Sequence, residues 1–294
     1  MAIRVNREKL AIWRKAQGAS STGVTRCGKQ SFKWGERTYV MGIVNVSPDS
    51  FSGDGLSTCD VAVAQGKRFA DSGVDIIDIG GESTRPNSSP ISIDEELRRV
   101  IPVLEILSRE VSVPLSVDTY KYEVAQQALG AGAHMLNDIW GLKADPKLAK
   151  LAAKKGVPII LMSNQRNEPQ RYIVPAVISD LKRAIDEALE AGVSWDNIII
   201  DPGIGFGKTL EQNLELVRRL KELRVLGRPV LLGTSRKSMI GLVLDLPADQ
   251  RVEGTAASVA LGIANGADIV RVHDVPEMIR VSKMSDAIIR RRGF

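Results

Sequence analysis

The chain has 294 residues, with 40 Lys and Arg against 35 Asp and Glu, so a formal charge of +5 is spread along its length. Aromatic residues make up only 4%; stacking platforms for single-stranded nucleic acid are therefore scarce, and a small anionic ligand suits this charge better than a polynucleotide. No apolar run approaches the roughly 20 residues of a membrane span. Cys27 and Cys59 lack ligand-like spacing and follow no secretory signal, so the expectation is a cytoplasmic protein with two ordinary thiols and no disulfide framework.

In chain order, residues 1–30 carry seven Lys or Arg and one acid, Glu8, with an amphipathic helix predicted around Leu10, Ile12 and Trp13. That composition overlaps with an organelle transit peptide; the plainer expectation is a basic N-terminal extension over residues 1–37, helical or loosely ordered. From residue 38 onward, short Val/Ile/Leu-rich runs alternate with longer segments of helical periodicity. The runs are Tyr39 to Asn45, Ile76 to Gly80, Leu115 to Asp118, His134 to Asp138, Pro158 to Met162, Ile198 to Asp201, Val230 to Gly233 and Ile269 to His273. Helices are predicted near 59–73, 94–109, 121–131, 146–155, 176–192, 211–224, 249–265 and 275–290, and Ser163 to Pro175 reads as a loop at the active-site end. An open doubly wound sheet would show the same alternation. Evenly spaced units without a composition break favour a single (β/α)8 TIM barrel over residues 38–294.

Strands of such a barrel are apolar on both faces, so a carboxylate at a strand end is costly unless it is used. Asp118, Asn137 and Asp201 stand at three strand ends and would converge at one mouth, able to bind a guanidine-like edge with several N–H donors. Taken singly, either Asp could instead cap the following helix. After the seventh strand, Gly233-Thr-Ser-Arg-Lys-Ser238 supplies cations and hydroxyls; after the eighth, Arg271 and His273 share one side of the strand. With Asn45, Thr84 and Arg85 they suit a phosphate or diphosphate, held where barrels of this kind often hold one. His134 opens the fourth strand and reads as structural. Gly207-Lys208-Thr209 looks like the end of a P-loop, but Pro202 stands where that motif requires Gly, which removes the nucleotide-hydrolase reading. The absence of tight His/Cys/Asp spacing argues against protein-held zinc, whereas a magnesium ion carried by a diphosphate stays compatible.

Two loops are the most distinctive, Asn45-Val-Ser-Pro-Asp-Ser-Phe-Ser-Gly-Asp-Gly55 and Gly80-Gly-Glu-Ser-Thr-Arg-Pro86. Together with Ser116-Val-Asp-Thr119, Asn137-Asp138, Asp201 to Lys208, Ser235-Arg-Lys-Ser238 and Arg271-Val-His-Asp274, they make residues 38–290 resemble the dihydropteroate synthase family. The resemblance implies a (β/α)8 homodimer that joins 6-hydroxymethyl-7,8-dihydropterin diphosphate to para-aminobenzoate for folate synthesis. It also implies that Asp118, Asn137, Asp201 and Lys237 hold the pterin with Met162 against its ring. Asn45, Thr84, Arg85, Arg271 and His273 would hold the diphosphate with its Mg2+, Asn45 being the one metal contact. Phe51, Pro86, Phe206, Lys237 and Ser238 would line the para-aminobenzoate pocket. Asp118, Asp201, Lys237, Arg271 and His273 are the residues it marks as catalytic.

Two departures from the family pattern stand out. After the fifth strand the family usually reads Leu-Met-His-Met, and this chain has Leu161-Met-Ser-Asn-Gln-Arg166; in the first loop Gly53 and Asp54 stand in exchanged order. Both lie near the arylamine, so altered turnover or sulfonamide sensitivity is the expectation, with pterin binding retained. A pterin-dependent methyltransferase would share the barrel and the Asp/Asn edge but needs neither the Ser-Pro-Asp-Ser-Phe nor the Ser-Arg-Lys-Ser segment. A non-catalytic pterin sensor finds support only in Ser163 to Arg166, and Asp118, Lys237, Arg271 and His273 oppose it.

Overall fold

The structure is a computed structural model and describes residues 23–46, 58–83, 89–166 and 170–290. It opens with an antiparallel hairpin, β1 (Val24–Cys27) and β2 (Gln30–Lys33), joined by a two-residue turn in which Gly28 takes φ 59°. Eight parallel strands follow: β3 (Tyr39–Asn45), β4 (Ile76–Gly80), β5 (Leu115–Asp118), β6 (Met135–Asp138), β7 (Ile159–Met162), β8 (Ile198–Asp201), β9 (Leu231–Leu232) and β10 (Ile269–Val272). They pair in the order β8-β7-β6-β5-β4-β3-β10-β9, and a parallel bridge between Ile200 and Val230 joins the two ends. The sheet is a (β/α)8 barrel, as expected.

The surrounding helices are α1 (Thr58–Asp71), α2 (Ile93–Glu110), α3 (Tyr122–Gly130), α4 (Lys147–Lys155), α5 (Ile173–Glu190), α6 (Leu210–Arg218), α7 (Ser238–Leu244), α8 (Val252–Ala264) and α9 (Val275–Ile289). Local chemistry sets several ends: Ser92 accepts from the Glu95 N–H at the start of α2, and Thr209 with Gln212 forms a capping box on α6. Three differences from expectation follow from short-range chemistry. The helix predicted over 211–224 stops at Arg218 and continues as a 3-10 turn, Leu220–Leu226. Helix α5 begins at Ile173, because Pro175 falls in its first turn, where its missing N–H costs nothing. Helix α7 was not anticipated.

Two apolar layers hold the barrel. One residue set, including Val44, Ile77, Ile79, Val117 and Val270, meets the helices, while the alternate set, Met41, Ile76, Met135, Ile160, Ile199, Leu231 and Ile269, fills the interior. The hairpin closes the lower end of that interior with Cys27, Phe32 and Trp34. Phe32, Trp34 and Tyr39 meet ring against ring at centroid distances of 4.9 to 5.8 Å, and Trp34 Nε1 donates to Thr25 Oγ1 at 2.9 Å. The segment expected as a helical or loose extension thus contributes a β-hairpin plug; the predicted helix around Leu10 to Trp13 lies outside the described residues. His134 is structural, as read: its Nδ1 accepts from the Leu115 N–H, and burial lowers its pKa.

Candidate active site

The strand register carries the polar residues to one level. Asn45, Gly80, Asp118 and Asn137 lie in one row across β3, β4, β5 and β6. On four strands the inward face changes from apolar below to polar above: Ile76 to Asp78, Met135 to Asn137, Ile199 to Asp201, Ile269 to Arg271. Arg271 is the hub. Its Nε donates to Asp78 Oδ2 at 2.6 Å, its Nη2 to Asp118 Oδ2 at 2.7 Å, and Asn137 Nδ2 donates to the same Asp78 oxygen at 2.9 Å. A carboxylate only accepts, so Asn137 must turn its NH2 to Asp78 and present its carbonyl oxygen to a ligand.

Asp78 was not among the predicted site residues. It is fully buried, and its Oδ1, like Ser116 Oγ, has no hydrogen-bond partner among the described residues. The signal was present: an acid in the middle of Ile76-Ile-Asp-Ile-Gly80 stands on the same strand face as the mouth residues, and such a group is retained only if paired.

Burial governs the titration of the group. Desolvation pushes Asp118 up to about 7, against the opposing pull of Arg271, and raises Asp201 against Lys237 and the Gly203 N–H. Burial alone would lower Arg271, but Asp78 and Asp118 outweigh it and raise its pKa. Lys237 is brought down to about 8, chiefly by burial, with Asp201 resisting. Asp138, where β6 ends, is pushed up to about 6 by burial, opposed by the N–H groups of Leu142, Trp140 and Gly141 that it accepts from or faces.

Met162, Phe206 and Ile139 form a small apolar cluster with Tyr120 and Trp140 at its edge, a surface fit for a flat ring. Lys237 Nζ stands 4.7 Å from the Phe206 ring centroid and donates to the Ile204 carbonyl. Asp201 Oδ1 accepts from the Gly203 N–H at 2.7 Å, which stiffens the turn after β8. His273 is held by Ser235, whose Oγ accepts from the His273 N–H at 3.1 Å and lies 3.0 Å from Nδ1. These two contacts with one hydroxyl fix the plane and position of the imidazole.

Ser238 is the exposed first residue of α7. Arg236, beside Lys237, is committed to Asp274 through a two-point pair and takes φ 57°. The structure therefore brings together Asn45, Asp118, Asn137, Met162, Asp201, Phe206, Lys237, Arg271 and His273 at the C-terminal mouth. The predicted Phe51, Thr84, Arg85 and Pro86 lie outside the described residues.

The departing segment after β7 is tightly built. Ser163 Oγ donates to Asp180 Oδ2 at 2.9 Å, Gln165 Nε2 reaches Ser163 Oγ and Asp180, and Asn164 Nδ2 donates to the Ile139 carbonyl. Lys143 and Arg183 pair with Asp180 at 3.1 and 3.2 Å. The Arg166 guanidinium lies 4.7 Å from the Phe206 centroid.

Whether the site suits a magnesium ion is a question of donors. Among the described residues no group of three or more His, Cys, Asp or Glu could hold a metal. Asn45 offers a hard carboxamide oxygen at the rim, close enough to Gly80 that a Cβ there would lie 3.8 Å from it and from Asp118 Oδ2. One neutral oxygen beside a carboxylate fits an ion whose remaining ligands are phosphate oxygens and water.

The family described as pterin binding enzyme matches residues 41–273. A dihydropteroate synthase of Clostridium beijerinckii is 52% identical over 268 residues, 90% of this chain and 100% of that protein. The crystal structure of the Clostridium difficile dihydropteroate synthase, solved in the presence of pteroic acid, is 49% identical with a TM-score of 0.86, covering 88% of this chain and 100% of that one. The Xanthomonas albilineans dihydropteroate synthase with 4-aminobenzoic acid is 41% identical with a TM-score of 0.87, covering 91% and 98%. Matched over most of its length in sequence and in fold, the chain belongs to the pterin binding enzymes, among the dihydropteroate synthases.

Proposed function

We propose that this chain performs the reaction of that family, condensing 6-hydroxymethyl-7,8-dihydropterin diphosphate with para-aminobenzoate to 7,8-dihydropteroate and diphosphate, in the cytoplasm, as a step of folate synthesis. The observation that carries the reading is the Asp78–Arg271–Asp118 network with Asn137, Asp201 and Lys237 at one mouth. Carboxylates and a carboxamide oxygen accept from the pterin's N–H edge, and Met162 covers its face.

Arg271 and the His273 ring lie where a diphosphate needs donors. The C–O bond at the pterin methylene carbon breaks, its electron pair leaving with the diphosphate, and the arylamine nitrogen forms the new C–N bond and releases a proton. Asp118 and Asp201 offset the positive charge that develops on the pterin, in a site where water is largely excluded. No covalent nucleophile is needed. Asn45 would hold a magnesium ion, which when bound supplies neutralisation of the leaving diphosphate.

Apolar side chains support a homodimer. Leu242, Val243 and Leu244 on α7, Leu261 on α8 and Met284 and Ile288 on α9 are all exposed, from 45% to 67%, and α8 packs against both other helices. Such a patch fits a second copy of the chain. Sedimentation should give twice the chain mass, and Ile288→Glu should give monomer.

The deciding experiment is a coupled assay of diphosphate release with and without para-aminobenzoate, followed by addition of a sulfonamide. Arylamine-dependent release with dihydropteroate as product is the expected result, and the drug reports whether the loops around Arg166 change its recognition. Tight pterin binding without condensation would refute the reading.

A further inference from the structure

Lys208 has no part in the chemistry just described, yet it sits where two active-site loops meet. Its Nζ donates to three backbone carbonyls: Ser163 after β7 at 2.9 Å, Gly203 after β8 at 2.9 Å, and Phe206 at 3.2 Å. An ammonium has three donors on one atom, so the set is saturated. Arginine, with its flat fork, could not direct three donors to one point in this way.

The loops it joins already touch backbone to backbone. Ser163 N donates to the Asp201 carbonyl and Gln165 N to the Phe206 carbonyl. A Cβ on Gly203 would lie 2.1 Å from Ser163 O, and one on Gly207 2.3 Å from Arg166 N, and both glycines have φ near +70°. No side chain can enter between the loops. From the β7 side Arg166 reaches the Phe206 ring, and from the α7 side Lys237 reaches it as well, each at 4.7 Å.

We infer that Lys208 is a positioning residue that clamps the loop after β7 to the loop after β8, and so fixes Phe206 between Arg166 and Lys237 to set the affinity for the arylamine. The inference rests on the synthase reading, which places Phe206 in the arylamine pocket. Of the pterin contacts, Asp118, Asn137 and Arg271 on β5, β6 and β10 receive no hydrogen bond from Lys208, and Asp201, which Lys208 meets only through charge, keeps its own bond from the Gly203 N–H.

Lys208→Met keeps the volume and removes all three donors. In the full-length enzyme it should raise KM for para-aminobenzoate by about tenfold to 10²-fold, the range expected when a binding group is misplaced by about 1 Å. The Kd for the pterin diphosphate, read by calorimetry, should change less than about threefold, well under that range. In Lys208→Ala, propylammonium added to the assay should restore arylamine KM in a concentration-dependent way, because it returns an ammonium to the three carbonyls. Should Lys208→Met fail to fold, Lys208→Arg takes its place with the same expected split.

Equal changes in both constants, an unchanged arylamine KM, or no recovery with propylammonium would overturn the inference. Wild-type enzyme runs alongside: no condensation in wild type refutes the synthase reading, whereas normal condensation with an unchanged variant refutes only the role of Lys208.

Discussion

The two ends of this barrel are built from the same strands and obey opposite rules. Below, the interior is filled by Met41, Ile76, Met135, Ile160 and Ile269 and sealed by Phe32 and Trp34 of the hairpin. Above, the next inward position on several strands is Asp78, Asn137, Asp201 or Arg271; burial raises the pKa of Asp201, and the neighbouring carboxylates raise that of Arg271 against burial. One residue step along a strand face separates a stabilising end from a reactive one. The lower end supplies the burial that tolerates the upper end's desolvated charges.

The comparison breaks or sharpens at definite points. Arg271→Ala leaves Asp78 and Asp118 facing each other without their cation. It should lower kcat/KM by at least about 10²-fold to 10³-fold and destabilise the protein by on the order of 3–5 kcal/mol near neutral pH. The sign of the pH dependence is fixed by Asp118. A carboxylate whose folded pKa is raised adds stability below its unfolded pKa and loses it as pH rises through the folded value, about 7 here and higher once Arg271 is gone. The gap between variant and wild-type urea midpoints should therefore narrow as pH falls from about 9 towards 7, the window between the variant's higher folded pKa and the wild-type value, and level off below it; a constant gap above pH 7 would break the account.

At the other end, Phe32→Ala should cost about 3–5 kcal/mol through the cavity it leaves. Below its lowered melting temperature, kcat and both KM values should match wild type; a fall in kcat would show that the ends are not separable.

Pterin affinity in the free enzyme should follow a bell in pH. It needs Asp118 as carboxylate and Lys237 as ammonium, so it weakens below about 7 and above about 8, by roughly tenfold per pH unit beyond each limb. Calorimetry across pH 5.5–9.5 checks this, and Asp118→Asn should abolish the acid limb. The smallest effect belongs to Ser235→Ala, which removes the hydroxyl that holds Nδ1 of His273. One neutral hydrogen bond of about 1 kcal/mol predicts a rise in KM for the pterin diphosphate of roughly fivefold, with arylamine KM unchanged.

The strands and the polar groups at their ends were legible because buried parallel strands are continuous apolar runs, and a polar residue closing one stands out. Asp78 escaped because it lies inside such a run, flanked by Ile77 and Ile79, and only the two-residue parity with Gly80 marks its face. The hairpin escaped for another reason. Val24 to Lys33 alternates well around Gly28, but its four-residue strands sit in a basic segment whose overall composition drew the reading toward an extension. Helix α7 is apolar nearly all round, with Met239 and Ile240 buried and Leu242 to Leu244 exposed, so it lacks the polar face by which a surface helix is recognised. The Lys208 clamp was not readable at all, since its three acceptors are backbone carbonyls and carry no residue signature.

The seam between β8 and β9 is the thinnest part of the wall. It is one bridge, Ile200 to Val230, beside a strand two residues long, helped by Arg228 Nε donating to the Ile198 carbonyl. Lys237 spans the same seam from above through the Ile204 carbonyl. A pterin held by Asp201 on one side and Lys237 on the other would bind both margins of this gap at once. Occupancy should then slow amide hydrogen exchange at Ile200 and Val230 more than at β4 or β5, so the substrate itself acts as the last rung of the cylinder.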